Sequence, residues 1–206
     1  MRHAAWVGVL LLLFMPARGF AQADSAREAP PAYREHIAKA LQEFSLGHWS
    51  EARVYFAEAH ALWPNARTFR GLGMACYEAR DYSEAIDFLE QALQNSTQPL
   101  TPKLAAESRD ILQQAKRFVA NVRIDVVPAN AVITIDDRAL VRRPDGGTML
   151  NPGEHQLDVS ADGFQDLHRS FMAEAGQSLR VHHKLTPLGA TAVANPGDPG
   201  SGVAAT

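Results

Sequence analysis

The chain has 206 residues, with 20 Lys and Arg against 23 Asp and Glu, so its formal net charge is −3 at pH 7. A mildly acidic balance argues against nucleic acid as a partner, and a single cysteine, Cys76, excludes an internal disulfide. The length suits two small domains rather than one large one.

Met1-Arg2-His3 is followed by an apolar stretch from Ala4 to Met15 and by Ala21-Gln22-Ala23 just before Asp24. A basic start, a short apolar centre and small residues at the end are the three parts of a secretory signal peptide. A spanning helix needs about 20 apolar residues, and Pro16 and Arg18 break this run earlier. The expectation is therefore a signal peptide over 1–23 cleaved between Ala23 and Asp24, with an uncleaved signal anchor as the competing reading. Removing Arg2 and Arg18 and no acid moves the net charge from −3 to −5. No cysteine follows the apolar stretch to carry a lipid, so the expected product is exported to the periplasm or cell surface without a transmembrane span.

After a linker over 24–32, helical patterning runs over 33–120. Trp49-Ser50-Glu51-Ala52 matches Tyr82-Ser83-Glu84-Ala85, Phe56 matches Leu89 and Ala59 matches Ala92, each pair offset by 33 residues. A fixed period of this size means stacked supersecondary units, none of which buries its apolar face alone. Helix-length segments, Tyr33 to Leu46 and Ala66 to Ala79, precede breaks at Gly47-His48 and Arg80-Asp81, so each unit reads helix, turn, helix. Pro64-Asn65 closes the first unit. A last helix is expected from Lys103 to about Val119, with Leu104, Ile111, Leu112, Ala115 and Phe118 or Val119 on one side, as a cap on the array.

The pattern resembles the tetratricopeptide repeat. Unit two carries Leu72-Gly73, Asp81-Tyr82, Glu84-Ala85-Ile86 and Ala92-Leu93; unit one keeps Gly47, Trp49, Ala52, Phe56, Ala59 and Pro64 but has Lys39-Ala40 where Leu-Gly is usual. Small alanines let two helices approach closely. The resemblance implies a concave partner-binding groove lined by the first helix of each unit, here Arg34, Ile37, Leu41 and Phe44, then Arg67, Arg70, Met74, Tyr77 and Glu78. The family's carboxylate clamp uses lysine and asparagine there, and neither helix has an asparagine.

From 121 to 187 the period changes to two. Val122, Ile124 and Val126 alternate with Arg123 and Asp125, and Ala131, Ile133 and Ile135 with Val132, Thr134 and Asp136; Leu157, Val159 and Ala161 repeat the scheme, and so do Leu179, Val181 and Leu185. Turn signals every ten or so residues, such as Pro152-Gly153 and Asp162-Gly163, argue for an antiparallel two-layer sandwich. The segments Pro128-Ala129-Asn130-Ala131, Val132-Ile133-Thr134-Ile135-Asp136, Leu150-Asn151-Pro152-Gly153-Glu154-His155 and Asp162-Gly163-Phe164 resemble the PEGA domain. Asn130 replaces the motif glycine and tolerates a left-handed backbone; Ala129 replaces the motif acid, and Asp137 stands where glycine is usual. PEGA-like modules imply a bacterial envelope protein in which they present or anchor another unit. The last segment, 188–206, has nothing large to bury and reads as a disordered tail.

Candidate chemistry is thin. Asp166, His168 and Ser170 are the residue types of a hydrolase triad, but alternate strand positions lie about 6 to 7 Å apart, whereas a nucleophile and its base need roughly 2.6 to 3.2 Å. His155, His168, His182 and His183 lack metal-ligand spacing; His155 and His183 fall in register with apolar neighbours, as a partly buried pair would. Arg138, Arg142 and Arg143 form a basic loop that reads first as a solvated loop and second as a contact for an anionic polysaccharide or lipid. Cys76 reads as a small buried apolar residue. No catalytic, cofactor or metal residue is assigned.

The fold class expected is thus α + β in two domains, a short helical-repeat array with a capping helix and then a small antiparallel β-sandwich. The leading function is a non-enzymatic envelope scaffold that binds a protein or peptide through the groove. A glycan-binding or adhesion module and an accessory subunit of an envelope enzyme complex are the alternatives.

Overall fold

The structure, a computed structural model, describes residues 29–189 and 203–205. The expected signal peptide, its cleavage point at Ala23 and Asp24, and residues 190–202 of the expected tail lie outside the described residues. The described residues fold as five helices followed by a small β domain of two sheets.

The helices are α1 (Pro31–Ser45), α2 (Trp49–Leu62), α3 (Ala66–Glu78), α4 (Tyr82–Gln94) and α5 (Pro102–Ala115). Proline opens α1 and α5, where its missing N–H has no intrahelical partner to lose. α1 turns into α2 through Gly47 at φ 80°, and α3 turns into α4 through Arg80 at φ 63°. These two left-handed positions are themselves 33 residues apart, so the repeat extends to the turn conformation although only one of them is glycine. Asn65 caps α3, its side chain accepting from the amides of Arg67 at 2.9 Å and Thr68 at 3.0 Å, while Thr68 Oγ1 accepts from the Asn65 amide at 3.2 Å.

The recurrent small residues sit where helices cross. Ala52, Phe56 and Ala59 of α2 and Ala85, Leu89 and Ala92 of α4 are all buried. A methyl on Gly73 would come within 2.7 Å of the Leu89 side chain and 3.2 Å of its backbone nitrogen, so α3 and α4 touch nearly backbone to backbone. One cluster joins Ala40 of α1 to Ala52, Phe56, Leu72 and Ala75, and a second joins Ile86 and Leu89 of α4 to Leu112, Ala115 and Val119. α5 ends at Ala115 rather than at Val119. The amides of Arg117 and Phe118 reach back only three residues, and the Val119 carbonyl accepts from Gly176 of the β domain at 3.0 Å. The turn before Ser178 thus takes over a backbone group that helix periodicity alone would keep.

The strands are β1 (Ala120–Val127), β2 (Val132–Ile135), β3 (Arg138–Ala139), β4 (Thr148–Leu150), β5 (Gly153–Ser160), β6 (Leu167–Ala173), β7 (Ser178–Lys184) and β8 (Val203–Ala205). They form two four-stranded sheets, β4-β1-β7-β8 and β3-β2-β5-β6. Val122, Ile124, Ile135, Leu157, Val159, Leu179, Val181 and Leu185 meet in a core that also takes Phe171. Each belongs to an alternating series read from the sequence except Phe171.

Three expectations need correction. The domain is not wholly antiparallel, because β1 and β7 pair in parallel from Asn121↔Ser178 to Val127↔Lys184; the chain reaches β7 from β5 and β6 of the other sheet and runs there in the direction of β1. The segment after Leu188 is not all tail, since Val203–Ala205 pairs with β7 as β8, and backbone hydrogen bonding at a sheet edge needs no large side chain. Asn130 is not among the described residues of positive φ; these include Asp136 and Asp137, at φ 49° and 62°. Those two form the whole loop between Ile135 and Arg138, which are paired, and both central residues at positive φ give the hairpin turn that follows strand twist. The glycine usual at 137 is therefore a conformational requirement that Asp137 meets.

Candidate functional site

The nine residues expected to line a groove divide by burial. Ile37 and Phe44 are half-buried against the core shared by α1, α2 and α3. Leu41, 56% exposed, and Arg34 are exposed on α1, and Arg67 and Glu78 are exposed on α3 while Met74 is half-buried. Arg70 is engaged by α5, its guanidinium donating to Glu107 at 3.0 Å. The Tyr77 hydroxyl donates to Gln114 at 3.2 Å, and its ring stands edge-on to Tyr82 with centroids 5.6 Å apart. α5 thus engages Arg70 and Tyr77, while Leu41, Arg67 and Glu78 stay exposed and Met74 half-buried.

The basic loop is not a free surface. Arg143 donates to Asp87 at 2.8 Å and to Glu90 at 2.7 Å on α4, and Arg138 donates to Glu84 at 3.2 Å. Arg142 folds back on its own domain, onto the carbonyls of Ile124 and Gly146. Lys116 pairs with Glu90 at 2.8 Å from the other side. Burial raises the Glu90 carboxyl, but the Lys116 and Arg143 hydrogen bonds outweigh it and hold it below its usual range.

Between these ion pairs the two halves share a helix cap. Asp81 precedes α4 but makes no capping bond; instead Asn151 of the β domain accepts from the Ser83 amide at 3.0 Å and donates to Asp81 at 2.9 Å. An amide at the start of a helix has no intrahelical acceptor, and here another domain supplies it. Asn151 is itself braced, since its carbonyl accepts from His155 Nε2 at 2.8 Å, while His155 Nδ1 faces Asp136 at 2.6 Å. Burial raises the Asp136 carboxyl, but the Gln156 amide and His155 more than offset this and hold it low. Beside this junction lies a cavity of about 460 Å³ walled by Asp81, Ser83, Asp136, Arg138 and Asn151.

The remaining candidates resolve into packing. His168 pairs with Asp158, directly opposite on β5, and Asp166 lies outside the strand. His155 and His183 sit in different sheets and are not a pair; burial, then Arg169 and His182, push the His183 ring low. Among the described residues one trio has metal-ligand proximity, Cys76, Asp81 and Glu84, whose donor atoms lie within 4.8 Å of one another. The cation there is Arg53, which donates to both Asp81 and Glu84. Cys76 is fully buried, and burial pushes its thiol up to about 12, which keeps it unreactive.

Architecture and junction together define a two-part α + β protein, a helical-hairpin array clamped by ion pairs and a shared helix cap onto a small two-sheet module. Residues 119–188, the whole of that module apart from β8, match the PEGA domain family. No curated protein matches the chain. Among the described residues no helix is long and apolar enough to cross a membrane.

Proposed function

We propose that this protein is an exported, non-enzymatic envelope adaptor whose tetratricopeptide-like helices hold a protein or peptide segment while the PEGA module presents or anchors them. The observation that carries this reading is the exposure left on the first helix of each unit, α1 and α3. On α1 Leu41 is 56% exposed, and on α3 Arg67 and Glu78 are exposed and Met74 is half-buried. Exposed apolar and charged side chains of both signs on these two helices suit an extended peptide with an apolar anchor and polar flanks. The PEGA match supports an extracellular or surface setting. The glycan alternative draws no support from the β-domain aromatics, because Phe171 is buried and Phe164 packs against the core.

A photo-crosslinking residue placed at position 41 or 67 in the native host should trap one protein partner, and the same residue at exposed Val54 on α2 should not. Purified partner should then bind the wild-type chain and lose affinity for Leu41→Arg at unchanged melting temperature. Crosslinks arising only from the β domain, for instance from exposed Val132, would refute the groove reading.

A further inference from the structure

Arg123 and Arg180 are distant in sequence, yet the parallel pairing of β1 with β7 makes them direct partners. Both point to the outer face of the β4-β1-β7-β8 sheet and are exposed. Like charges directly opposite on neighbouring strands repel, and this pair is not neutralised by ion pairing. Arg123 donates to the backbone carbonyl of Asp145, and Arg180 has no hydrogen-bond or ion-pair partner among the described residues. The two line a cavity of about 210 Å³ with Asn121, Thr148 and Ser178, closed on one side by the loop through Gly146 and Gly147.

The acids nearby do not cancel this charge. The Asp145 carboxylate is turned onto the Gly147 amide at 2.9 Å. Asp125, next along the same face of β1, pairs in register with His182 and forms no ion pair with either arginine. Asp87 and Glu90 of α4 are taken by Arg143. Gly146 is held at φ 81°, a conformation that favours glycine, and a methyl there would meet the Arg123 guanidinium at an ordinary contact distance of 3.5 Å.

We propose that this cleft binds a phosphate group, either free or carried on a lipid or glycan headgroup. Two uncompensated guanidinium groups on strands about 4.8 Å apart match a dianion with several oxygens. A carboxylate, with two oxygens and one charge, satisfies a single arginine fork. The hydroxyls of Thr148 and Ser178 and the Asn121 amide supply further donors around the same space. The site is independent of the peptide face on α1 and α3.

The test is a titration of the ¹⁵N-labelled full chain with inorganic phosphate, and separately with glycerol 3-phosphate as the soluble headgroup analogue, against sodium chloride at equal ionic strength. Saturable shifts of the Gly147, Thr148 and Arg180 amides are expected with a phosphate ligand and not with chloride. Similar affinity for both ligands assigns the site to the phosphate group itself, and preference for glycerol 3-phosphate assigns it to a headgroup. Arg180→Gln should bind about tenfold more weakly, the scale of losing one charge-assisted donor group. Arg180→Lys should fall between, and Arg169→Gln on the other sheet should match wild type. Both arginines are exposed, so the amide spectrum of each variant verifies its fold. Unsaturable or chloride-like shifts, or an Arg180→Gln chain that binds as wild type does, would overturn the proposal.

Discussion

Replacing Asn151 with alanine tests whether the two halves are joined by a shared helix cap. The change removes an acceptor from the Ser83 amide at 3.0 Å and a donor to Asp81 at 2.9 Å. Loss of a capping side chain costs about 0.5 to 2 kcal/mol, and the second hydrogen bond contributes about 1 kcal/mol. Ser83 and Asp81 are half-buried rather than enclosed, so water recovers part of both, and the expected net loss is about 1 to 2 kcal/mol. For a chain of this size each kcal/mol lowers the melting temperature by roughly 2 to 4 °C. A double-mutant cycle with Asp81→Ala isolates the contact: the single losses should exceed additivity, with a coupling of about 0.5 kcal/mol or more. Asp81 also accepts from Arg53 at 3.3 Å, so Arg53→Ala with Asn151→Ala serves as the control cycle and should be closer to additive. An unchanged melting temperature for Asn151→Ala, or a zero coupling with Asp81, would show that the domains are not held this way.

Further outcomes follow from the same packing. Gly73→Ala should lower stability by about 1 kcal/mol in thermal unfolding, because overpacking against Leu89 costs about 1 to 3 kcal/mol while losing a helical glycine returns about 1 kcal/mol; a more stable variant would mean α3 and α4 are farther apart than 2.7 Å contact implies. Ala85→Arg places a charge at a fully buried site, and a loss of several kcal/mol is expected, read as collapse of the helical circular-dichroism transition; an unchanged transition would show that Ala85 is exposed. Arg143→Glu should expose the loop over 139–147 to limited proteolysis by setting a third acid against Asp87 and Glu90, whereas a cleavage rate equal to wild type would remove this ion pair from the junction. Asp136 and Glu90 have carboxyls held below their ordinary values of 3.8 and 4.5. Their contribution is therefore fully present above those values and is lost as pH falls through the lowered folded-state values. Melting temperature between pH 7 and pH 3 should fall less steeply for Asp136→Asn than for wild type, and identical slopes would show that Asp136 makes no such contribution.

Local pattern was enough to read the helices, the longer strands and most of their buried faces. The 33-residue recurrence of small residues placed Ala52, Ala85, Ala59 and Ala92 at helix crossings, because two helices approach only where side chains are short. Period-two alternation placed Val122, Ile124, Leu157 and Val181 in one β core, because successive strand residues face opposite sides. These are short-range rules, and the sequence by itself determined what they govern: helix, strand, the change of period near residue 120, and the buried stripe of each element.

Only the tertiary structure decided which stripes and loops meet. The parallel register that sets Arg123 against Arg180 depends on the chain leaving one sheet and returning to it, which alternation within β1 or β7 does not encode. Arg138 and Arg143 read as a solvated loop because their partners Glu84, Asp87 and Glu90 lie on α4, in the other domain. Asn151 read as part of a turn, and its capping of α4 exists because docking brings it to the Ser83 amide. Charge and hydrogen-bonding groups are written residue by residue, but which of them neutralise or satisfy each other is a property of distance in space, and that is fixed only when the two halves pack.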